Sequence, residues 1–178
     1  MTPAPRVRLA RQLCLVAALA VAGCGSAGGS AATPRVGVHP GDTAPALAGT
    51  SLEGHRQSLA ALQGSVVVLV FWASWCAPCQ AEQPAVNALA RQEAASGVHF
   101  LGVSVDVDRG AAQAYVARYA VTYDNLIDAQ QTVVVDFEVA GPPTTFVVDR
   151  TGHVAAELVG ELSPDNLRAH IASALSSH

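Results

Sequence analysis

Apolar and polar positions fall into blocks of different period along the chain, and the periods predict the elements. Val66 to Trp72 is an unbroken apolar run of strand length, as expected of a strand covered on both faces and therefore central. From about Pro78 to Ala95 the period changes: Cys79, Glu82, Val86 and Leu89 recur at helical spacing. VHFLGVSV, from Val98, reads as a second buried strand, so two strands and a helix make a right-handed βαβ crossover. Arg109 to Ala120 places Ala112, Tyr115, Val116 and Tyr119 on a helical face, and a short element follows around Thr132 to Phe137. TTFVVD, a turn at Arg150 to Gly152 and HVAAELV predict an antiparallel hairpin. The last helix is expected to start with Ser163 as N-cap and Pro164 at its first position, burying Leu167, Ile171, Ala174 and Leu175. Ahead of the central strand, PALAGTSLEGHRQSL predicts a small hairpin around Gly54 and a helical turn near Leu59 to Leu62.

The N-terminus breaks this pattern. Residues 1–24 read MTPAPRVRLARQLCLVAALAVAGC: three Arg, an apolar run from Leu13 to Ala22, then small residues, which is the layout of an export signal. That run is about ten residues, half of the roughly twenty a membrane-spanning helix needs. Val21-Ala22-Gly23-Cys24 resembles the lipobox of bacterial lipoproteins, in which Cys24 becomes the lipidated first residue. Two acyl chains on Cys24 would anchor the protein stably. The chain then divides into a signal peptide (1–23), a Gly/Ser/Ala/Pro-rich flexible tether (24–39) and one folded domain (40–178).

Composition narrows the partners. The 178 residues are 51% hydrophobic and 13% charged, enough apolar material for one packed core. There is no Lys, the formal net charge is −4, and no basic run lies beyond the first eleven residues, which argues against a nucleic-acid partner. Cleavage before Cys24 removes Cys14 with the signal and leaves Cys76 and Cys79 as the free pair, exported to an oxidising compartment.

Cys76-Ala77-Pro78-Cys79 alone admits three readings. A zinc site needs two more ligands, and neither a second CxxC nor a closely spaced His pair exists. A structural disulfide closing a loop of two residues restrains the unfolded chain very little. A redox centre has a mechanism. The helix begins at the cysteines just past a buried strand, so its unpaired N–H groups and positive dipole end face Cys76 and favour thiolate. Cys76 is then expected to be the exposed nucleophile and Cys79, one turn in, the shielded resolving thiol. Glu82 falls on the Cys79 stripe, where a carboxylate with raised pKa can accept the Cys79 proton; otherwise it is a first-turn charge complementing the dipole. Trp75 is expected to form an exposed shoulder for a partner and Trp72 to lie in the core.

FWASWCAPC after an aliphatic strand resembles the active site of the thioredoxin superfamily, and GPPTTFVVD resembles its cis-proline segment, with Pro143 as the cis-proline. The lipobox, Glu82 and the extra helical segment before the third core strand make the chain similar to TlpA/ResA-like membrane-tethered thiol–disulfide oxidoreductases. The resemblance covers roughly residues 40–177. It implies an α/β thioredoxin-like fold: a central mixed sheet flanked by helices, an N-terminal β-hairpin extension and a helical insert before the cis-proline strand. Two departures stand out. Thioredoxins carry a buried Asp six residues before the first cysteine, where this chain has Val70. The residue before the cis-proline, which pairs its backbone with an extended substrate, is Pro142 and has no N–H. Pro84, inside the helix, matches a family proline and should bend the axis.

The activity so implied is disulfide exchange with protein thiols through the Cys76–Cys79 pair, with no metal and no other cofactor. The expected protein is a lipid-anchored monomer on the extracytoplasmic membrane face, served by a membrane thiol electron donor or acceptor. Reduction of apocytochrome c cysteines is the leading role and oxidative folding the alternative. A thiol peroxidase would want its cysteine in a Pro-x-x-x-Thr/Ser-x-x-Cys context, and Phe71 to Cys76 offers neither Pro nor Thr at the right places. Copper delivery would want a partnering His, for which His99 and His153 are the candidates.

Overall fold

The structure, a computed structural model, describes residues 1–2 and 35–177. Residues 3–23 of the expected signal peptide, Cys24 and residues 25–34 of the tether lie outside them. The chain divides into two units, Met1–Ala32 and Thr33–His178, and every strand and helix named here belongs to the second. No helix among the described residues is long and apolar enough to cross a membrane.

The apolar run becomes β3 (Val66–Trp72), buried at all seven positions. It occupies the centre of a five-stranded mixed sheet of order β5-β4-β3-β6-β7. β4 (Val98–Ser104) runs parallel to it, with Val66 opposite Val98 and Trp72 opposite Ser104; α1 (Ala77–Glu93) makes the crossover. β6 (Thr144–Val148) is antiparallel on the other side, and β7 (Val154–Val159) completes that hairpin. The predicted N-terminal hairpin is a separate two-stranded sheet, β1 (Ala48–Thr50) and β2 (Arg56–Ser58). The insert comprises α2 (Arg109–Arg118), β5 (Asn125–Ile127) and α3 (Thr132–Asp136).

Strand alternation divides the core into two faces. Phe71 packs on Phe137, at the end of α3, and on Phe146, with ring centroids 5.5 and 5.8 Å away. Trp72 points to the opposite face and stacks on Tyr115 of α2 at 4.2 Å. The Tyr115 hydroxyl donates to the Cys79 carbonyl at 3.0 Å, so α1 and α2 cover the Trp72 face. α4 (Pro164–Ser176) packs against α1 and against β3, β6 and β7. Gly102 is required where Trp72 crosses β4. A Cβ there would sit 1.9 Å from Asn125 Oδ1 and 2.8 Å from Trp72 Nε1, whose hydrogen bond to that Oδ1 is 2.9 Å long.

Three details differ from the sequence expectation. β5 was not anticipated: it has three residues, and its backbone is fixed by pairing with β4 and by Leu52 N–H donating to Asn125 O. Ser163 occupies the N-cap position of α4 in extended conformation, but its side chain makes no capping hydrogen bond. The packed chain also begins before residue 40. Gly37 N–H donates to Thr43 O, Arg35 pairs with Asp42 at 3.2 Å, and Val38 is buried.

Candidate active site

β3 ends at Trp72 and α1 starts at Ala77, so residues 73–76 must turn a buried strand into a helix within four residues. Cys76 is the N-cap (φ −81°, ψ 103°), and its sulfur accepts the Cys79 N–H at 3.2 Å. The helix N-terminus thus faces this sulfur, the arrangement that favours a thiolate when the bond opens. Here the two cysteines are joined as a disulfide. The expected contrast between an exposed Cys76 and a shielded Cys79 is absent in this form: they are 4% and 1% exposed. Each sulfur covers the other, and that of Cys76 folds back over the first helical turn.

The turn itself is held by groups that sequence reasoning did not single out. Asp106, buried just past β4, accepts the Ser74 N–H at 2.8 Å, the Ser74 hydroxyl at 2.7 Å and the Ser104 hydroxyl at 2.8 Å. Gln80 Nε2 donates to Ser74 O at 2.7 Å. The signal for Asp106 was available. It follows the carboxyl end of a parallel strand, where ligand and catalytic loops of α/β sheets gather. Trp75 is 66% exposed beside this turn, whereas Trp72 is core.

α1 continues through Pro84, which is exposed. Its buried side carries Cys79, Glu82, Val86 and Leu89, as the spacing predicted. Glu82 is 7% exposed, and its Oε2 accepts the Leu162 N–H at 2.8 Å from the segment between β7 and α4. Burial pushes its pKa up to about 7 from 4.5; the Leu162 N–H opposes the rise and the nearby Glu161 carboxylate adds to it. A carboxyl so tuned can give or take a proton near neutrality.

Just ahead of β6, at the end of the sheet where β3 finishes, the peptide bond joining Pro142 to Pro143 is cis. The Pro143 carbonyl accepts Gly160 N–H at 2.9 Å, and the Thr144 hydroxyl donates to Gly141 O at 2.8 Å. Pro142 is half-buried and Pro143 buried. His99 and His153 are not brought to the cysteines. His99 pairs with Val67 near the start of β3, and His153 precedes β7 at that same end of the sheet. Among the described residues no three His, Cys, Asp or Glu side chains gather as a metal site would require.

Residues 40–157 match the model of the AhpC/TSA family. The chain belongs to that family. Thiol-disulfide oxidoreductase ResA of Geobacillus kaustophilus is 33% identical over 141 residues, covering 79% of this chain and 81% of ResA. Among solved structures, a thiol:disulfide interchange protein of the thioredoxin family from Chlorobium tepidum superposes with a TM-score of 0.70. It is 26% identical and covers 82% of this chain and 99% of that one. A secreted Mycobacterium tuberculosis disulfide oxidoreductase homologous to E. coli DsbE gives 0.64 at 29% identity, covering 71% and 95%. The fold is thioredoxin-like, and the enzyme is a thiol–disulfide oxidoreductase of ResA/DsbE type with Cys76 and Cys79 as its pair.

Proposed function

We propose that this oxidoreductase works outside the cytoplasm, held to the membrane through lipidated Cys24, and reduces disulfides in unfolded substrates of the apocytochrome c kind. The observation that carries the catalytic part is one disulfide at a helix N-terminus, with a buried carboxyl of pKa about 7 one turn beyond Cys79 on the same helix. The signal-like N-terminus, and similarity to ResA and to a secreted DsbE homologue, support the location and the substrate class.

In the reductive direction the dithiol form acts first. Cys76 thiolate attacks one sulfur of the substrate disulfide; the Cys76–substrate bond forms, the substrate S–S bond breaks, and the expelled thiolate takes up a proton. Glu82 carboxylate removes the Cys79 proton, and Cys79 attacks Cys76. The Cys76–Cys79 bond forms and the second substrate thiolate leaves, so two electrons have passed from the enzyme pair to the substrate. A membrane dithiol of lower potential then restores the enzyme. Trp75, next to Cys76 in the chain, and Pro142, before the cis-proline, are the residues assigned to meet the substrate.

Trapping tests this reading. In the native host, Cys79→Ser should accumulate mixed disulfides on Cys76 with proteins bearing CxxCH segments. Capture of structural-disulfide proteins in their place would assign an oxidative role.

A further inference from the structure

Thr145, the second residue of β6, is fully buried, and its Oγ1 has no hydrogen-bond partner among the described residues. Every other buried polar side chain near the site has one: Ser104, Asp106, Gln83, Asn87, Asn125 and Glu82 are all paired. A buried hydroxyl without a partner destabilises the fold, so its place in an otherwise satisfied core calls for a reason.

Its position supplies one. Thr145 lies directly opposite Val70 on β3 and Leu158 on β7. Opposed residues share a face, so Thr145 is on the face of Val70 and Trp72. Trp72 stacks under Tyr115, whose hydroxyl holds the Cys79 carbonyl. On the other flank the chain leaves β7 and reaches Leu162, whose N–H holds Glu82. The Thr145 hydroxyl therefore sits in the layer beneath the buried side of α1, between the element that fixes Cys79 and the one that fixes Glu82. Its strand neighbour Val70 can supply no polar group to that layer.

We propose that Thr145 is a positioning residue for the resolving thiol, and that its hydroxyl donates a hydrogen bond to the Cys79 sulfur when the Cys76–Cys79 bond is open. The inference rests on the thiol–disulfide reading of the pair. In the disulfide the Cys79 sulfur is bonded to Cys76 and the hydroxyl is idle. When two electrons cleave that bond, negative charge appears on a sulfur with little access to water, and a free hydroxyl on the sheet face beneath α1 can turn to stabilise it. Thr145 thus favours the dithiol form and raises the reduction potential. Valine has the same shape without the hydroxyl. It should destabilise the dithiol form and relieve the disulfide form of an unpaired polar atom, and both effects make the pair more reducing.

The test is redox titration of the full chain in a glutathione or dithiothreitol buffer, with unfolding midpoints of both redox forms. Thr145→Val should shift the thiol–disulfide equilibrium about tenfold toward disulfide, equivalent to about 30 mV for two electrons. Its disulfide form should be no less stable than the parent's, and Thr145→Ser should restore the parent potential. The shift should persist in the Glu82→Gln background. An unchanged potential in Thr145→Val, or equal destabilisation of both redox forms, would overturn the assignment. So would a shift that vanishes with Glu82→Gln, which would place the hydroxyl on the carboxyl. If the parent itself failed to titrate reversibly, the oxidoreductase reading would fall instead.

Discussion

Two neighbouring sides of α1 are both buried and polar, yet they are built on opposite principles. One carries Gln83 and Asn87. Gln83 Nε2 donates to Asn87 Oδ1 and to the Tyr123 hydroxyl, each at 3.0 Å, while its Oε1 accepts the Tyr115 hydroxyl at 3.1 Å. Asn87 Nδ2 donates to the carbonyls of Tyr119 and Ala120, at the end of α2. These groups are neutral and mutually satisfied, and they tie the inserted helix to the catalytic one. The other side carries Cys79 and Glu82, and the sheet face beneath α1 carries Thr145: a reducible sulfur, a carboxyl whose pKa is displaced to about 7, and a hydroxyl without a partner among the described residues. Satisfied networks hold a structure in one state. The groups that change state during the reaction, the Cys79 sulfur and the Glu82 carboxyl, lie on this second side, and the contrast shows where this fold stores its chemistry.

The cysteines give the comparison its largest effect. Cys76→Ser and Cys79→Ser should each abolish turnover of a disulfide substrate, with only Cys79→Ser accumulating mixed disulfide on a non-reducing gel. In the dithiol form Cys76 should alkylate faster than Cys79, because only Cys76 lies at the helix terminus. Equal alkylation rates by mass spectrometry would remove the distinction between attacking and resolving thiol.

Glu82→Gln comes next. Loss of the proton acceptor should slow resolution about 100-fold, read by stopped-flow decay of the mixed disulfide. Stability supplies a second readout with a defined sign. The unfolded chain releases this proton near pH 4.5, whereas the folded disulfide form holds it to about 7. The fold's preference for the protonated group is fully present below 4.5 and is lost as pH rises through 7, a decline of about 3 kcal/mol. Urea midpoints of the parent should fall across that window while those of Glu82→Gln stay level.

Asn87→Ala probes the satisfied side. Two carbonyls at the end of α2 and the Gln83 amide lose their partner, which should cost about 2 kcal/mol of stability and leave the reduction potential unchanged. A shifted potential would show that the two sides of α1 are coupled.

What the sequence made legible follows the same division. β3, β4 and α1 are long blocks of one period, and Cys79, Glu82, Val86 and Leu89 share a face because helical geometry leaves no choice. β5 escaped notice because three residues carry no period, and its pairing is decided by Asn125 meeting Trp72 and by the hairpin backbone. Asp106 was not singled out, since nothing local shows that Ser74, thirty-two positions earlier, will donate to it twice. Thr145 looks like any β-branched strand residue until its register places it opposite Val70, on the sheet face of Trp72. Short-range pattern reveals which residues are buried. It does not reveal which buried polar groups find partners, and in this site that is the functional distinction.

The smallest expected effect concerns Pro142, at the rim of the reactive side. The resemblance to thioredoxin-like proteins implies that the residue before Pro143 pairs its backbone with an extended substrate. Pro142 offers a carbonyl but no N–H, so one of the two main-chain hydrogen bonds expected there cannot form. A hydrogen bond is worth roughly 0.5–1.5 kcal/mol net, which bounds the gain from restoring it at about tenfold in affinity. The ring offsets part of this, because it limits the unbound loop that follows Gly141 and so lowers the entropy lost on binding. Pro142→Thr should therefore bind a cysteine-containing peptide a few-fold more tightly than the parent, measured by trapping on the Cys79→Ser background. Equal or weaker binding would make Pro142 a turn residue, and selectivity would then rest on the Trp75 shoulder and the side chains around Cys76.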